Sequence, residues 1–209
     1  MKRSPPVPRK TPRQQRATVT VDAMVTAVER VLEQHGAGGL TTNRVAQVAG
    51  VSVGTLYHYF PNKEALVSAL QERVMQELLT AFRAVLGAAG TLTLSELVAR
   101  IGAAFLAIFR GQRPMHRWLI DLRGHVGYQE RLRGVLDVFV DELAAFLASR
   151  PEIALEDPRT VAFVLVHSIE GISAGAGGRP GRVDVETITR ATVQMIVDHC
   201  ERWPRAGGS

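Results

Sequence analysis

Cysteine is almost missing from this chain of 209 residues: Cys200 stands alone. No disulfide can therefore close within the chain, and a reducing cytoplasm is the expected compartment. A bond between the Cys200 side chains of two copies is the remaining alternative. Long apolar runs are also missing. The basic N-terminus is followed by no apolar segment of signal-peptide length. Its arginines and lack of acid have the composition of an organelle transit peptide, but its prolines oppose the amphipathic helix such a peptide needs. The segment nearest to a membrane span, 161–178, is interrupted by His167, Glu170 and several small polar residues, which argues against a membrane partner. Histidines at metal-ligand spacing are absent, since His35, His58, His116, His125, His167 and His199 include no pair at i, i+3 or i+4. No glycine loop with a lysine is present to cradle a nucleotide phosphate. No cofactor and no metal are expected.

Acidic residues are scarce at one end only. The formal net charge is +5, and residues 1–60 hold eight of the 25 Lys and Arg (Lys2, Arg3, Arg9, Lys10, Arg13, Arg16, Arg30, Arg44) but three of the 20 Asp and Glu (Asp22, Glu29, Glu33). The other 17 of each sign cancel, so the whole excess lies in the first third of the chain. That asymmetry points to a polyanion bound at one end.

The stretch within that third that carries chemistry is Leu40–Leu66, LTTNRVAQVAGVSVGTLYHYFPNKEAL. Thr41 or Thr42 can cap a helix bearing Val45, Ala46 and Ala49. Gly50 stops it at the left-handed position where a Cβ would clash. Val51 plugs the turn, and Ser52 can cap a second helix whose inward face is Leu56 and Phe60. Pro61 ends that helix, because the residue before proline is pushed out of the α region. Asn62 can cap the next. Two helices joined by a glycine-containing turn of about four residues are a helix-turn-helix. The outer face of the second helix is Ser52, Val53, Gly54, Thr55, Tyr57, His58 and Tyr59, small at its start and rich in hydroxyl and ring donors later. It suits a helix whose N-terminal end enters a major groove. Lys63 opposes the macrodipole in the first turn of its helix, which costs a few tenths of a kcal/mol. Beside unpaired N–H groups the same cation makes a phosphate site.

These residues resemble the DNA-binding motif of TetR-family regulators: Leu40-Thr41-Thr42, Val45-Ala46, Ala49-Gly50-Val51-Ser52, Gly54-Thr55-Leu56-Tyr57, Tyr59-Phe60 and Asn62-Lys63-Glu64-Ala65-Leu66, without a gap, over roughly residues 17–66. The resemblance implies an all-α homodimer, usually a repressor, that releases a palindromic operator in double-stranded DNA when a small-molecule effector binds its larger domain. It implies that Thr42, Tyr57 and Lys63 hold phosphates and that Asn43, Val53, Gly54, Thr55 and His58 lie at or near base edges; Arg44, Ser52 and Tyr59 complete the expected surface.

Residues 1–15 are Pro- and Arg-rich and are expected to form a disordered basic arm, either a solubilising tail or a tracker of the DNA backbone. From Arg16 to His35, Val21, Met24, Val25, Val28, Val31 and Leu32 make one helical stripe. The DNA-binding domain is thus expected over 16–62, with 63–203 as a helical effector-binding and dimerisation domain and 204–209 as a tail. That second domain should open with an unbroken helix from Asn62 to Gly87, a rod on the order of 35 Å. Helices are expected from Thr93 or Ser95 to Arg110, around Met115–Leu122, from Leu132 to before Pro151, from Asp157-Pro158 with a nearly all-round apolar run over Val161–Ile172, and from Asp184 to about Arg202, about nine in all. The last two are the expected dimer interface.

By the resemblance, the helices carrying Phe105, Phe109, Met115, Trp118, Phe139, Phe146 and His167 surround the effector cavity. Aromatics at helical spacing also serve as plain core, whereas a buried imidazole such as His167 needs a partner. Gly171-Ile172-Ser173-Ala174-Gly175 matches the G-x-S-x-G nucleophile elbow, which works only at a strand-to-helix turn; in a chain without convincing strands no catalytic residue is expected. The alternative function is a DNA-binding architectural or adaptor protein whose C-terminal half serves assembly alone.

Overall fold

A computed structural model describes residues 12–90, 92–110, 127–150, 155–177 and 185–200. Among these are eight α-helices: α1 (Pro12–His35), α2 (Thr42–Ala49), α3 (Val53–Tyr59), α4 (Lys63–Gly87), α5 (Leu94–Arg110), α6 (Tyr128–Ala148), α7 (Pro158–Gly177) and α8 (Val185–Cys200), with a 3-10 turn at Ala37–Gly39. The expected helix at Met115–Leu122 lies outside the described residues. The all-helical class was legible because every long segment repeats its apolar residues at the helical period.

The chain divides into two compact units, residues 1–70 and 71–209, and α4 contributes to both. In the first unit α1 packs on α2 and α2 on α3. Its core is Met24, Val28, Val31, Val45, Leu56, Leu66 and Leu70, none more than 1% exposed. α1 begins at Pro12 rather than Arg16, because proline at the first helical position has its φ already set and its missing N–H is not needed.

Residues Arg44 and Gly39 close the turn between α1 and α2. The Arg44 guanidinium donates to the Gly39 carbonyl. A Cβ on Gly39 would lie 2.3 Å from His35 Cβ. Gly39→Ala is therefore expected to destabilise the first unit by about 1–3 kcal/mol through overpacking; an unchanged urea midpoint would contradict this.

In the second unit α6 packs on α7, and α8 packs on α5 and α7. Leu97, Val98, Phe139, Leu143, Val161, Ala162 and Leu165 lie in its core. Two helices start as expected. Thr93 and Glu96 form a reciprocal cap on α5: the Thr93 backbone N–H donates to Glu96 Oε2 at 2.8 Å and the Glu96 N–H to Thr93 Oγ1 at 3.3 Å. Asp157 accepts from the Arg159 and Thr160 N–H groups at 3.0 Å each and from the Thr160 hydroxyl at 2.6 Å, with Pro158 at the first helical position.

These bonds hold both carboxyls below the ordinary carboxylate range. For Glu96 the Thr93 backbone N–H is the largest cause, and for Asp157 the Thr160 hydroxyl. A depressed folded-state pKa gives stability that is complete above the unfolded value of about 4 and is lost as pH falls through the folded value. Unfolding midpoints followed from about pH 6 to about pH 3 should therefore fall, and Glu96→Gln with Asp157→Asn should flatten the fall. Equal slopes in native and double variant would count against these caps.

Two expectations for α7 differ. α7 continues through Gly177, where a loop from Gly175 was expected; α8, Val185–Cys200, lies within the helix expected from Asp184 to about Arg202, whose ends fall outside the described residues. Glycine costs a helix about 1 kcal/mol against alanine, a weak preference that context readily overrides. The apolar run of α7 is not buried all round: Phe163 is 54% and Val164 38% exposed, and Met195 on α8 is 59% exposed. No helix among the described residues is long and apolar enough to cross a membrane.

Candidate nucleic-acid interface

The helix-turn-helix is built from caps. Thr41 ends the extended entry to α2, its side chain accepting from the Arg44 N–H at 3.2 Å. At the other end Gly50 takes φ 70° and ψ 30°. Its N–H bonds the Gln47 carbonyl at 3.2 Å and the Val51 N–H bonds the Ala46 carbonyl at 3.0 Å. Those are the paired bonds of a Schellman motif, which turns the chain without a buried orphan. Ser52 then caps α3, accepting from the Thr55 N–H at 3.0 Å. Phe60 leaves the helix in an extended conformation before Pro61, and Asn62 Oδ1 accepts from the Ala65 N–H at 2.8 Å to start α4.

α3 is held by its inward side alone. Leu56 is wholly buried and Phe60 nearly so, whereas Ser52, Val53, Gly54, Thr55, Tyr57 and His58 are exposed and Tyr59 is half-buried. The His58 and Tyr59 rings meet edge to face at 5.2 Å. The Tyr57 hydroxyl lies 3.2 Å from Thr42 Oγ1, bringing two expected phosphate ligands together from different helices. Ser52 Oγ and Thr55 Oγ1 are 2.8 Å apart. Asn43 is exposed, and Lys63 is half-buried at the first position of α4. Arg44, also expected here, is half-buried and tied to Gly39; sequence reasoning missed that role, although its spacing of five residues from a glycine-rich turn was visible.

Nothing among the described residues requires glycine at position 54. A Cβ there would meet only Ser52 Oγ, at an ordinary 3.8 Å. Yet glycine in a helix gives up stability relative to alanine. The missing side chain leaves open space on the outward surface, where a partner's backbone can come close.

Two family models match the chain: that of bacterial regulatory proteins of the tetR family over residues 25–70, and that of the tetracyclin repressor-like C-terminal domain over residues 93–199. The chain belongs to the TetR family of transcriptional regulators. An HTH-type transcriptional regulator of Mycobacterium tuberculosis is 28% identical over 150 residues, covering 70% of this chain and 69% of that one. The HTH-type transcriptional repressor DrrR1 of Streptomyces coeruleorubidus is 28% identical over 190 residues, 86% of this chain and 63% of its own. Among solved structures, the regulator FadR from Bacillus subtilis, in complex with stearoyl-CoA, shares the fold with a TM-score of 0.66 at 17% identity, covering 84% of this chain and 97% of its own.

The second unit of this TetR-family regulator contains a cavity of about 30 Å³ lined by apolar side chains of α4, α5, α6 and α7, among them Leu78, Phe82, Ile101, Leu136, Phe139 and Val166. Of the residues expected around an effector, Phe139 lines it, stacked on Phe82 with ring centroids 4.4 Å apart. Phe146 is half-buried, with the Arg150 guanidinium 5.6 Å over its ring. His167 is half-buried against exposed Phe163, at 4.3 Å between ring centroids, away from the cavity lining. The side chains of Phe105 and Phe109, and the whole of Met115 and Trp118, lie outside the described residues. Sequence reasoning missed the α4 contribution, Leu78, Ala81, Phe82 and Val85. G-x-S-x-G lies within α7.

Proposed function

We propose that this TetR-family regulator is a homodimeric repressor that leaves its operator when a small apolar molecule enters the cavity in residues 71–209. The observation that carries the DNA half is the outward surface of α3, exposed at its N-terminal turn while Leu56 and Phe60 fix its inner side. Val53, Gly54, Thr55 and His58 then approach base edges, with Asn43 beside them, and Thr42, Tyr57 and Lys63 hold phosphates. Exposed Phe163, Val164 and Met195 on α7 and α8 supply the apolar face that a second copy would cover in a four-helix bundle. The apolar cavity, and a fold neighbour in complex with stearoyl-CoA, support an effector. DrrR1's naming as a repressor supports the sign of regulation. Ligand must favour the dimer geometry that mis-spaces the two recognition helices, because only differential affinity moves such an equilibrium.

Selection of bound duplexes from a random pool tests the reading. The expected product is a palindrome whose half-sites are separated by about one helical turn or a multiple; a protein that enriches no duplex refutes it. On the selected site, Lys63→Ala should lower the salt slope by about 1. Gly54→Ala should raise the unfolding free energy by about 0.4–1 kcal/mol while weakening operator binding. A variant that is both more stable and equally tight would remove the close-approach role from Gly54.

A further inference from the structure

One buried polar group in the second unit has no explanation in packing. Gln71 on α4 is 0% exposed. Its Oε1 accepts from Arg131 Nη2 at 2.7 Å. Because a guanidinium only donates, it fixes the amide orientation and turns Nε2 away from itself. Nε2 is buried and has no hydrogen-bond partner among the described residues. A buried donor without an acceptor is costly, and natural chains rarely keep one without a reason.

The position of this donor relates it to the cavity. Gln71 with Arg131, Phe82 with Phe139 and Arg83 with Glu142 show α4 and α6 running side by side in the same direction. Leu78 and Phe82 of α4 and Leu136 and Phe139 of α6 line the cavity. Gln71, in the third turn of α4, and Arg131, in the first turn of α6, stand on the N-terminal side of those lining residues, Gln71 on the order of 10 Å along α4 from Leu78. The intervening α4 turn carries buried Val74 and Met75, and methionine readily changes shape to admit a guest. Arg131 is also held in place: Gly127, at φ 79°, starts α6, and a Cβ there would come within 3.1 Å of Arg131 Nη2.

We infer that Gln71 and Arg131 form the polar end of the effector site, and that the effector is an apolar molecule ending in a carboxylate. The inference rests on the proposal that a small molecule enters residues 71–209. Its apolar body occupies the space between Leu78, Phe82, Leu136 and Phe139. Its carboxylate accepts from Gln71 Nε2, and the Arg131 charge beside it favours the anion over a neutral head. A bound carboxylate satisfies the donor that the described residues around it leave without an acceptor. The cavity is small, so binding opens it by displacing side chains such as Met75.

The test uses the full chain with octanoate, decanoate and 3-phenylpropionate, and alkanols of matched length as uncharged controls. Binding is read by titration calorimetry and thermal shift, and operator release by fluorescence anisotropy. The acids are expected to bind more tightly than the alkanols. Gln71→Glu keeps an acceptor for Arg131 but replaces the Nε2 donor with an oxygen. It should fold with an undiminished midpoint and bind the acids at least about tenfold more weakly, with alkanol binding unchanged. Gln71→Met, which also lacks the donor, should lose the same preference and serves if the glutamate variant does not fold. Equal affinity for acids and alkanols, no acid binding, or acid binding indifferent to both substitutions overturns the inference. Gln71-dependent acid binding without operator release leaves the inference standing and refutes the ligand-released repressor. Operator release by alkanols alone does the reverse.

Discussion

Leu56→Ala is expected to cost about 2–5 kcal/mol and to abolish operator binding. α3 has seven residues, too few to persist as a helix without tertiary support. Its wholly buried side chain is Leu56, and the next anchor is Phe60 at 8% exposure. Truncating Leu56 removes most of a buried side chain and leaves a void in the centre of the first unit. The remaining anchor lies beyond the last turn, so the N-terminal end of α3, which carries Val53, Gly54 and Thr55, loses its fixed position. Amide exchange over residues 53–59 should quicken by roughly 30-fold or more, the factor matching about 2 kcal/mol. Normal exchange and operator affinity in this variant would mean that something other than Leu56 seats the helix.

Phe82→Ala is expected to cost the second unit about 3–5 kcal/mol. Phe82 is 7% exposed and stacks on Phe139 with 21° between the rings, so truncation forfeits both burial and an aromatic pair. It also lines the cavity, so the lost volume joins space already present rather than opening a separate void. The variant should melt at lower temperature than the native chain and regain part of the loss on adding a bulky apolar ligand, because an enlarged apolar cavity stays dry and takes such guests. A melting temperature unaffected by the substitution would place the ring outside the working core.

How legible these features were varied along the chain. The caps at Thr41, Ser52, Asn62 and Asp157 and the left-handed Gly50 were readable because each is a local event, set by a few side-chain and backbone atoms close in sequence. The outward surface of α3 was readable for the same reason, since Leu56 and Phe60 leave only one way for the helix to face. The cavity was not. Of the aromatics expected to surround it, Phe139 lines the wall, while Phe146 and His167 pack elsewhere among the described residues. Helical spacing places a side chain on a stripe but does not say which neighbouring helix that stripe meets.

Sequence alone determined the all-helical class, the helix-turn-helix with its caps, and the concentration of positive charge in the first third, because periodicity, turn chemistry and charge are properties of short stretches. Only the tertiary structure decided that Arg44 binds its own Gly39, that α4 supplies a wall of the cavity, that an apolar face of α7 is left open, and that Gln71 is buried opposite Arg131 with a donor to spare. The last three depend on which helices pack together and in what register. Residues 60 apart in the chain carry no local mark of their meeting.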